Sequence, residues 1–384
     1  MYEIYIRVRN LVLALSYRAI LKPFFFRRDP EAVHDRMVRL GARLGRSRWG
    51  RGLVRLLFSY RHPALRVEWR GITFQNPLGL AAGFDKNAEL VQILPAVGFG
   101  FMEVGSITGE ACPGNPRPRL WRVPAQKSLL VYYGLKNDGA RVIAGRLRGI
   151  RPAIPLGINI AKTNCRETVE TAAGIADYIA AYRAFQTENI GDYFTINISC
   201  PNAFGGEPFT NPERLEQLLR ALAQEEKTIP IFLKLSPDSP YETIDRIIAL
   251  AERYNVDGFI CSNLTKRHEV LPPAEREHFP VYGGLSGKCV EEASNQLLSY
   301  LYAKTRGTKL LMGLGGVFTA EDAYEKIRRG AMLIQLITGM IYGGPQTIAA
   351  INQGLVRLLR RDGYHSIVEA VGTDLKNSKK IFKN

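Results

Sequence analysis

Tyr193-Phe194-Thr195-Ile196-Asn197-Ile198-Ser199-Cys200-Pro201-Asn202 is an apolar, β-rich run that ends in a thiol flanked by two carboxamides. Residues 193–199 read as a buried strand, and Ala203-Phe204-Gly205-Gly206 reads as the loop that follows. An Asn side chain both donates and accepts, so Asn197 and Asn202 suit a clamp on a small planar polar molecule. Cys200, between them, is placed to take or give a proton. The plainer alternative is a buried, inert Cys at a strand end. Polar residues at the C-terminal end of a strand are where α/β barrels keep their chemistry.

The flanking sequence repeats the pattern. Leu78–Ala82, Phe101–Val104, Leu156–Ile160, Ile231–Leu235, Gly258–Ser262, Leu310–Leu314 and Met332–Ile337 supply seven more candidate strands. Amphipathic helical stretches such as Pro212–Leu222 and Tyr241–Tyr254 lie between several of them. Eight such alternations predict an α/β fold, a (β/α)8 TIM barrel. The runs are continuously apolar, as parallel strands buried on both faces require. Leu65 to Gln75 reads as a short hairpin ahead of the barrel. A length of 384 residues fits one large barrel with added segments. The expected organisation is an N-terminal amphipathic, basic helical arm over 1–60, the barrel over 61–372, and a flexible Lys-rich tail over 373–384. The stretch from Gly354 reads as a last helix ending at Gly363.

The predicted strand ends collect a rim. In order they carry Ala81-Ala82-Gly83 with Lys86, Ser106, Asn159 with Lys162, Asn197 with Cys200 and Asn202, Lys234, Ser262-Asn263, Gly315-Gly316, and Thr338-Gly339. Glycines after the last two strands let backbone N–H groups close on a phosphate. Gly287, in Gly283-Gly284-Leu285-Ser286-Gly287, is placed to add a contact. The rim has lysines and amides but no acidic pair, which argues against glycoside hydrolysis and Mg²⁺ chemistry. It suits an anionic, hydrogen-bonding cofactor such as FMN.

Composition narrows the class further. The five Cys are scattered, with no C-x-x-C pair, so no structural zinc or iron–sulfur site is expected, and the five His lack ligand spacing. The net charge of +16 points to a polyanion or an anionic membrane surface, or to a generally basic surface. In the arm, Tyr2, Ile4, Tyr5, Ile6, Val8, Leu11, Val12, Leu13 and Leu15 are interrupted by Arg7, Arg9, Arg18 and Lys22, too often for a spanning helix or a signal peptide. Asp29 before Pro30 predicts an N-cap, and Val33, Met37, Leu40 and Leu44 follow at helical steps. Trp49 to Tyr60 repeats the theme. Such helices fit the membrane interface, or simply pack on the barrel. A nucleic-acid-binding reading of the charge finds no recognised module, and no nucleic-acid partner is expected. The set Lys86, Asn197, Cys200, Asn202 and Lys234 argues against a non-catalytic barrel.

Long motifs now make a specific likeness. Asp29-Pro30-Glu31-Ala32-Val33-His34, Asn76-Pro77-Leu78-Gly79-Leu80-Ala81-Ala82-Gly83-Phe84-Asp85-Lys86, Gly114-Asn115-Pro116-Arg117-Pro118-Arg119-Leu120-Trp121-Arg122, Leu156-Gly157-Ile158-Asn159-Ile160 and Gly313-Leu314-Gly315-Gly316-Val317 occur in order. The chain resembles the dihydroorotate dehydrogenases, and in layout their membrane-associated, quinone-dependent class. The resemblance implies non-covalent FMN, hydride transfer from dihydroorotate or an analogue, and electrons passed to a membrane quinone entering between the N-terminal helices. It implies FMN held by Ala81, Ala82, Gly83, Ser106, Asn159, Lys234, Gly287, Gly315, Gly316, Thr338 and Gly339. It implies substrate held by Lys86, Asn197, Asn202 and Asn263, Cys200 as base, Arg122 on the quinone path, and residues 203–206 as a lid. A peripheral membrane protein on the cytoplasmic face of a bacterial inner membrane is the matching location.

The chain also departs from that class. Cys200 stands where it has Ser, as in the soluble classes, and Ala203 where a Thr is usual. Val131 replaces a substrate-binding Asn, Tyr132 an Arg, and Leu264 a hydroxyl residue, with Lys136 or Asn137 as possible compensation. A thiol, with an ordinary pKa near ~8.5, becomes a competent base if the site lowers that value. Two readings stand: a dihydroorotate dehydrogenase with a Cys base, or a related flavin enzyme for another small cyclic or unsaturated compound.

Overall fold

The computed structural model describes residues 1–376. Eight strands close a barrel in sequence order, each parallel to its neighbours: β1 (Leu78–Leu80), β2 (Phe101–Ile107), β3 (Leu156–Ile160), β4 (Tyr193–Asn197), β5 (Ile231–Leu235), β6 (Gly258–Cys261), β7 (Leu310–Leu314) and β8 (Leu333–Leu336). All eight predicted strands are present. Every residue of β3, β4 and β5 is buried, which accounts for the absence of alternation in their sequence.

Small residues make room for large ones inside the barrel. A Cβ on Gly79 would lie 2.3 Å from the Phe101 ring, and one on Gly157 would lie 2.3 Å from Tyr193. The aromatic rings fill that space. The predicted hairpin, Val67–Trp69 with Ile72–Phe74, joins this core. Its Trp69 lies 5.7 Å from Phe232, and its Phe74 meets Phe101 edge-on at 5.5 Å.

A second sheet was not foreseen. Leu120–Val123, Ser128–Val131 and Gly284–Gly287 pair antiparallel beside the barrel. The strands are four residues long, and the third comes from a segment more than 150 positions away, so local pattern carries no trace of the pairing.

The arm is helical: α1 (Tyr2–Ser16), α2 (Pro30–Arg46) and α3 (Arg48–Phe58). Asp29 caps α2 as expected, its carboxylate accepting from the Ala32 N–H at 2.7 Å. Between α1 and α2, Pro23 lacks an N–H, and the preceding turn, Tyr17–Leu21, is widened into a π turn. The face of α2 laid on the barrel holds few of its large apolar residues. Glu31, Val38 and Gly45 are buried, and Gly41 and Gly45 close on Leu90 and Ile93. Leu40 is exposed, and Val33, Met37 and Leu44 are half-buried. Backbone-close packing through glycines outweighed side-chain bulk. Glu31 anchors the helix through a buried ion pair with Arg119 at 2.8 Å.

No helix among the described residues is long and apolar enough to cross a membrane. The last long helix, Thr347–Arg361, ends as expected before Gly363, which has φ +76°. Of the expected tail, Thr373–Lys376 form a helical turn, with Asp374 paired to Arg328. Residues 377–384 lie outside the described residues.

Candidate active site

The C-terminal ends of the strands open into one cleft with an empty volume of about 1240 Å³, counted out to its mouth. Fifteen of the expected site residues line it: Ala81, Ala82, Gly83, Lys86, Ser106, Asn197, Cys200, Asn202, Lys234, Asn263, Gly287, Gly315, Gly316, Thr338 and Gly339. Asn159 stands just behind, with its Oδ1 accepting from Ser106 Oγ at 2.5 Å.

The floor is a chain of amides drawn from four strands. Asn197 Nδ2 donates to Ser106 Oγ at 2.8 Å, and Asn197 Oδ1 accepts from Asn263 Nδ2 at 3.2 Å. Asn263 Nδ2 also lies 2.6 Å from the Ser199 carbonyl, and Ser199 Oγ donates to the Lys234 carbonyl at 2.8 Å. Asn202 Nδ2 donates to the Val131 carbonyl at 2.9 Å. The two carboxamides flanking Cys200 are therefore not an open clamp. Asn197 is engaged at both ends, while Asn202 keeps Oδ1 unpartnered. Asn159 Nδ2 is likewise buried and unpartnered, and no acceptor contacts Lys234 Nζ among the described residues. Burial pushes the Lys234 ammonium down, opposed by the charge of Glu103 deeper in the barrel.

Burial also pushes the Cys200 thiol up to about 11, against the backbone N–H of Asn202 and the charges of Lys162 and Lys234. The condition set for a readily formed thiolate, a lowered thiol, is therefore not met. The protein around it is too apolar for two lysines to offset the desolvation. Lys86 moves the other way, held down at about 8 by burial. Its Nζ lies 4.0 Å from the centroid of the Tyr133 ring.

The departures fall on one wall. Val131 and Leu264 both line the cleft, Leu264 packed against Gly284. Tyr132 turns away and meets Tyr282 at 4.5 Å. Of the two residues expected to compensate, Lys136 lines the cleft. Asn137 is buried behind it and is bonded to Thr108 Oγ1 at 2.7 Å.

The loop after Asn202 is held to the segment that follows β3. Lys162 Nζ donates to the Phe204 carbonyl at 2.9 Å, and the Phe204 N–H donates to Asn164 Oδ1 at 2.5 Å.

At the other end, Gly315 and Gly316 follow β7 with φ of +105° and +77°, and Thr338 and Gly339 open a short helix after β8. A Cβ on Gly339 would lie 2.0 Å from the Val317 carbonyl, and one on Gly287 would lie 2.4 Å from that of Lys127. These close carbonyls admit only glycine, a composition that suits the backbone approach of a phosphate.

Arg122 is outside the cleft, on the side sheet. It donates to the Arg28 carbonyl at 2.7 Å and stacks 4.7 Å from the Phe26 ring. Phe26 meets Tyr342 at 5.2 Å, and Lys22 lies 5.1 Å from that ring. Tyr17 donates to the carbonyl of Ile341, a cleft residue, at 2.6 Å. An aromatic and cationic cluster thus joins the arm to the edge of the cleft. Sequence reasoning missed Tyr17, His34, Tyr133 and Gln335 as parts of this surroundings. Tyr133 lies inside the departing segment and His34 inside a quoted motif, so position alone offered a signal for those two.

The class this fold and site define is a (β/α)8 enzyme with glycine-rich ends at β7 and β8 and a hydrogen-bonding floor across β2 to β6. The dihydroorotate dehydrogenase family model matches residues 64–359. A dihydroorotate dehydrogenase (quinone) of Gloeobacter violaceus is 38% identical over 354 residues, covering 92% of this chain and 98% of that one. One from Natronomonas pharaonis is 40% identical over 362 residues, covering 93% and 99%. The ligand-free type DHODH from Eimeria tenella superposes with a TM-score of 0.78 at 29% identity, covering 90% and 99%. This chain belongs to the dihydroorotate dehydrogenase family. Membership implies a flavin, and the residues fit one. The unpartnered Asn159 amide and the buried Lys234 ammonium would hold acceptors of a flavin ring, and the glycines after β7 and β8 would leave room for its phosphate.

Proposed function

We propose that this protein oxidises dihydroorotate to orotate with FMN and passes the electrons to a quinone, the step that makes a pyrimidine ring aromatic. The observation that carries the reading is the single cleft that gathers Cys200, Lys86, Asn202 and Asn263 beside the glycine cradle. Bound FMN would supply a hydride acceptor that can be reoxidised.

The residues perform the rest. Gly287, Gly315, Gly316, Thr338 and Gly339 would hold the phosphate through backbone N–H groups. Ala81, Ala82, Gly83, Ser106, Asn159 and Lys234 would fix the ring. Lys86 would hold the substrate carboxylate, and Asn197, Asn202 and Asn263 the ring amides. Cys200, as thiolate, would take the C5 proton while the C6 hydride leaves from the adjacent carbon. Residues 203–206 would form a lid that keeps water from the substrate. Arg122 and the rings of Phe26 and Tyr342 would line the quinone path. The arm would dock on a membrane surface, making this a peripheral protein, at the cytoplasmic face in a bacterium. A different small cyclic or unsaturated substrate is not favoured, since relatives over nine-tenths of the chain share the dihydroorotate dehydrogenase (quinone) name.

Anaerobic mixing with L-dihydroorotate tests the reading. Rapid loss of the oxidised flavin absorbance is expected. A flavin that dithionite reduces and dihydroorotate does not would overturn the substrate assignment.

A further inference from the structure

A second groove, with an empty volume of about 1390 Å³ counted out to its mouth, lies between α1, the helix Thr347–Arg361 and the turn at Phe318–Glu321. It shares no lining residue with the cleft, although Val317 of the cleft adjoins Phe318 of the groove, and nothing in the proposed reaction uses it.

Asn10 sits in its wall. It is only 5% exposed, and its Oδ1 accepts from the Arg9 guanidinium at 3.0 Å. Its Nδ2 has no partner. A donor left unmade in a buried helix interface is costly, and an acceptor delivered by a ligand would remove the cost.

Charge at the groove is uneven. Glu321 is paired with Arg357 at 2.8 Å, and Glu3 accepts from Tyr60 at 2.8 Å and from Gln353 at 2.9 Å. Arg7 makes no ion pair among the described residues, and Arg360 turns one nitrogen toward His62 at 3.2 Å. Arg7 is therefore open to an anion, and Arg360 is shared with the charge of Glu3 but holds no ion pair among the described residues. The rest of the wall is apolar, including Ile351 and Val356, and runs out to Ile4 and Leu11, which are 69% and 58% exposed.

We propose that this groove binds an anionic membrane phospholipid. Its phosphate sits between Arg7, Arg360 and the Asn10 amide, and an acyl chain lies along the apolar wall. A free inorganic phosphate shares the head chemistry but would leave that wall uncovered. The inference rests on the reading that the arm meets a membrane, and it adds which lipid the arm selects.

The test uses full-length flavoprotein and dihexanoyl phosphatidylglycerol below its micelle concentration, with the matching phosphatidylcholine, read by native mass spectrometry and by thermal shift. Phosphatidylglycerol is expected to bind at least tenfold more tightly than phosphatidylcholine. R7Q/R360Q should lose that preference, and N10L, which keeps the volume and removes the donor, should weaken it tenfold. R39Q/R43Q, equal in charge but outside the groove, should not, and flavin reduction by dihydroorotate should be unchanged throughout. Equal binding of the two lipids, or groove variants that bind like the wild type, would overturn the proposal. So would inorganic phosphate binding as tightly as the lipid, which would assign the site to a free anion. Flotation on vesicles is scored separately. Short-chain lipid binding without flotation would sink only the membrane reading.

Discussion

Lys86 Nζ stands 4.0 Å from the centroid of the Tyr133 ring, in a wall where burial holds that ammonium at about 8. The π face supports the cation without neutralising it, so a substrate carboxylate finds a charge with no competing anion in contact. Cys200 on the same cleft is held up at about 11. Productive encounter requires Lys86 protonated and Cys200 deprotonated, the reverse of what the two values favour at intermediate pH. For flavin reduction, kcat/KM is expected to rise about tenfold per pH unit up to pH 8 and then level, as gain of thiolate is cancelled by loss of ammonium. Once the carboxylate is bound, Lys86 stays protonated, so kcat continues upward past pH 8. In K86M the levelling of kcat/KM should vanish and KM should rise. Stopped-flow reduction between pH 6 and 10 checks this, and a kcat/KM that climbs without a break in the wild type would refute the role of Lys86.

Cys200 carries the proton in this scheme. C200S should keep its flavin and its substrate affinity, because the cleft is lined mainly by other groups. Its reduction rate should fall on the order of 10²–10⁴-fold, the usual contribution of a positioned base, since an alcohol ionises far less readily than a thiol. Anaerobic reduction measured with the flavin spectrum as loading control decides it. Unchanged reduction would remove Cys200 from the mechanism.

Much of this was legible in the sequence, for identifiable reasons. The eight strands announce themselves because both faces are buried and the runs are apolar throughout, as in Ile231–Leu235. The rim follows from strand ends alone, which is why Ser106, Asn197, Asn263 and the glycines converge as expected. The four-residue strands of the side sheet are joined by pairing across more than 150 residues, and no local pattern encodes that. Which face of α2 packs was left open by the sequence, because Gly41 and Gly45, not the larger apolar residues, set the approach to Leu90 and Ile93. The direction of the Cys200 shift depends on how much apolar protein surrounds the sulfur. Residue types at the strand ends do not report that.

Val131 ends its strand with its carbonyl engaged by Asn202 and its side chain facing the cleft. V131N adds a donor and an acceptor there without disturbing that backbone bond. One added hydrogen bond is worth ~0.5–1.5 kcal/mol, so KM for dihydroorotate should fall roughly two- to tenfold with kcat little changed. Steady-state kinetics with an artificial acceptor measure it. A raised KM at unaltered thermal stability would mean that this wall is fitted to the substrate as it stands.

Glu31 and Arg119 are each about 95% buried and paired at 2.8 Å, with Arg117 at 3.0 Å on the rim. E31A leaves the Arg119 charge enclosed without its carboxylate, a change that costs ~3–5 kcal/mol. The expected result is a marked drop in denaturant midpoint. Because the pair fastens α2 to the segment leading into the side sheet, quinone turnover should fall before flavin content does. Chemical unfolding followed by both tryptophan and flavin fluorescence separates the two, and a midpoint unchanged from the wild type would show that the pair is replaceable.

The apolar surface of α3 is turned outward. Trp49, Leu53 and Leu56 are 90%, 55% and 61% exposed, while Val54 alone of that helix is buried. Exposed residues of this size are tolerated singly on a soluble surface, but a row of them on a helix that also carries Arg48, Arg51 and Arg55 is the arrangement of an interfacial helix. Substituting Trp49, Leu53 and Leu56 by Ser removes the apolar row without touching the contacts that hold α3 to the barrel. Removing residues 1–60 outright would instead uncover Leu90 and Ile93 and confuse docking with unfolding. The triple variant should reduce its flavin with dihydroorotate at the wild-type rate. It should lose flotation on vesicles, and its turnover should drop at least tenfold with a long-chain membrane quinone and little with a short-chain soluble one. Equal turnover with both quinones would show that α3 has no part in reaching the membrane.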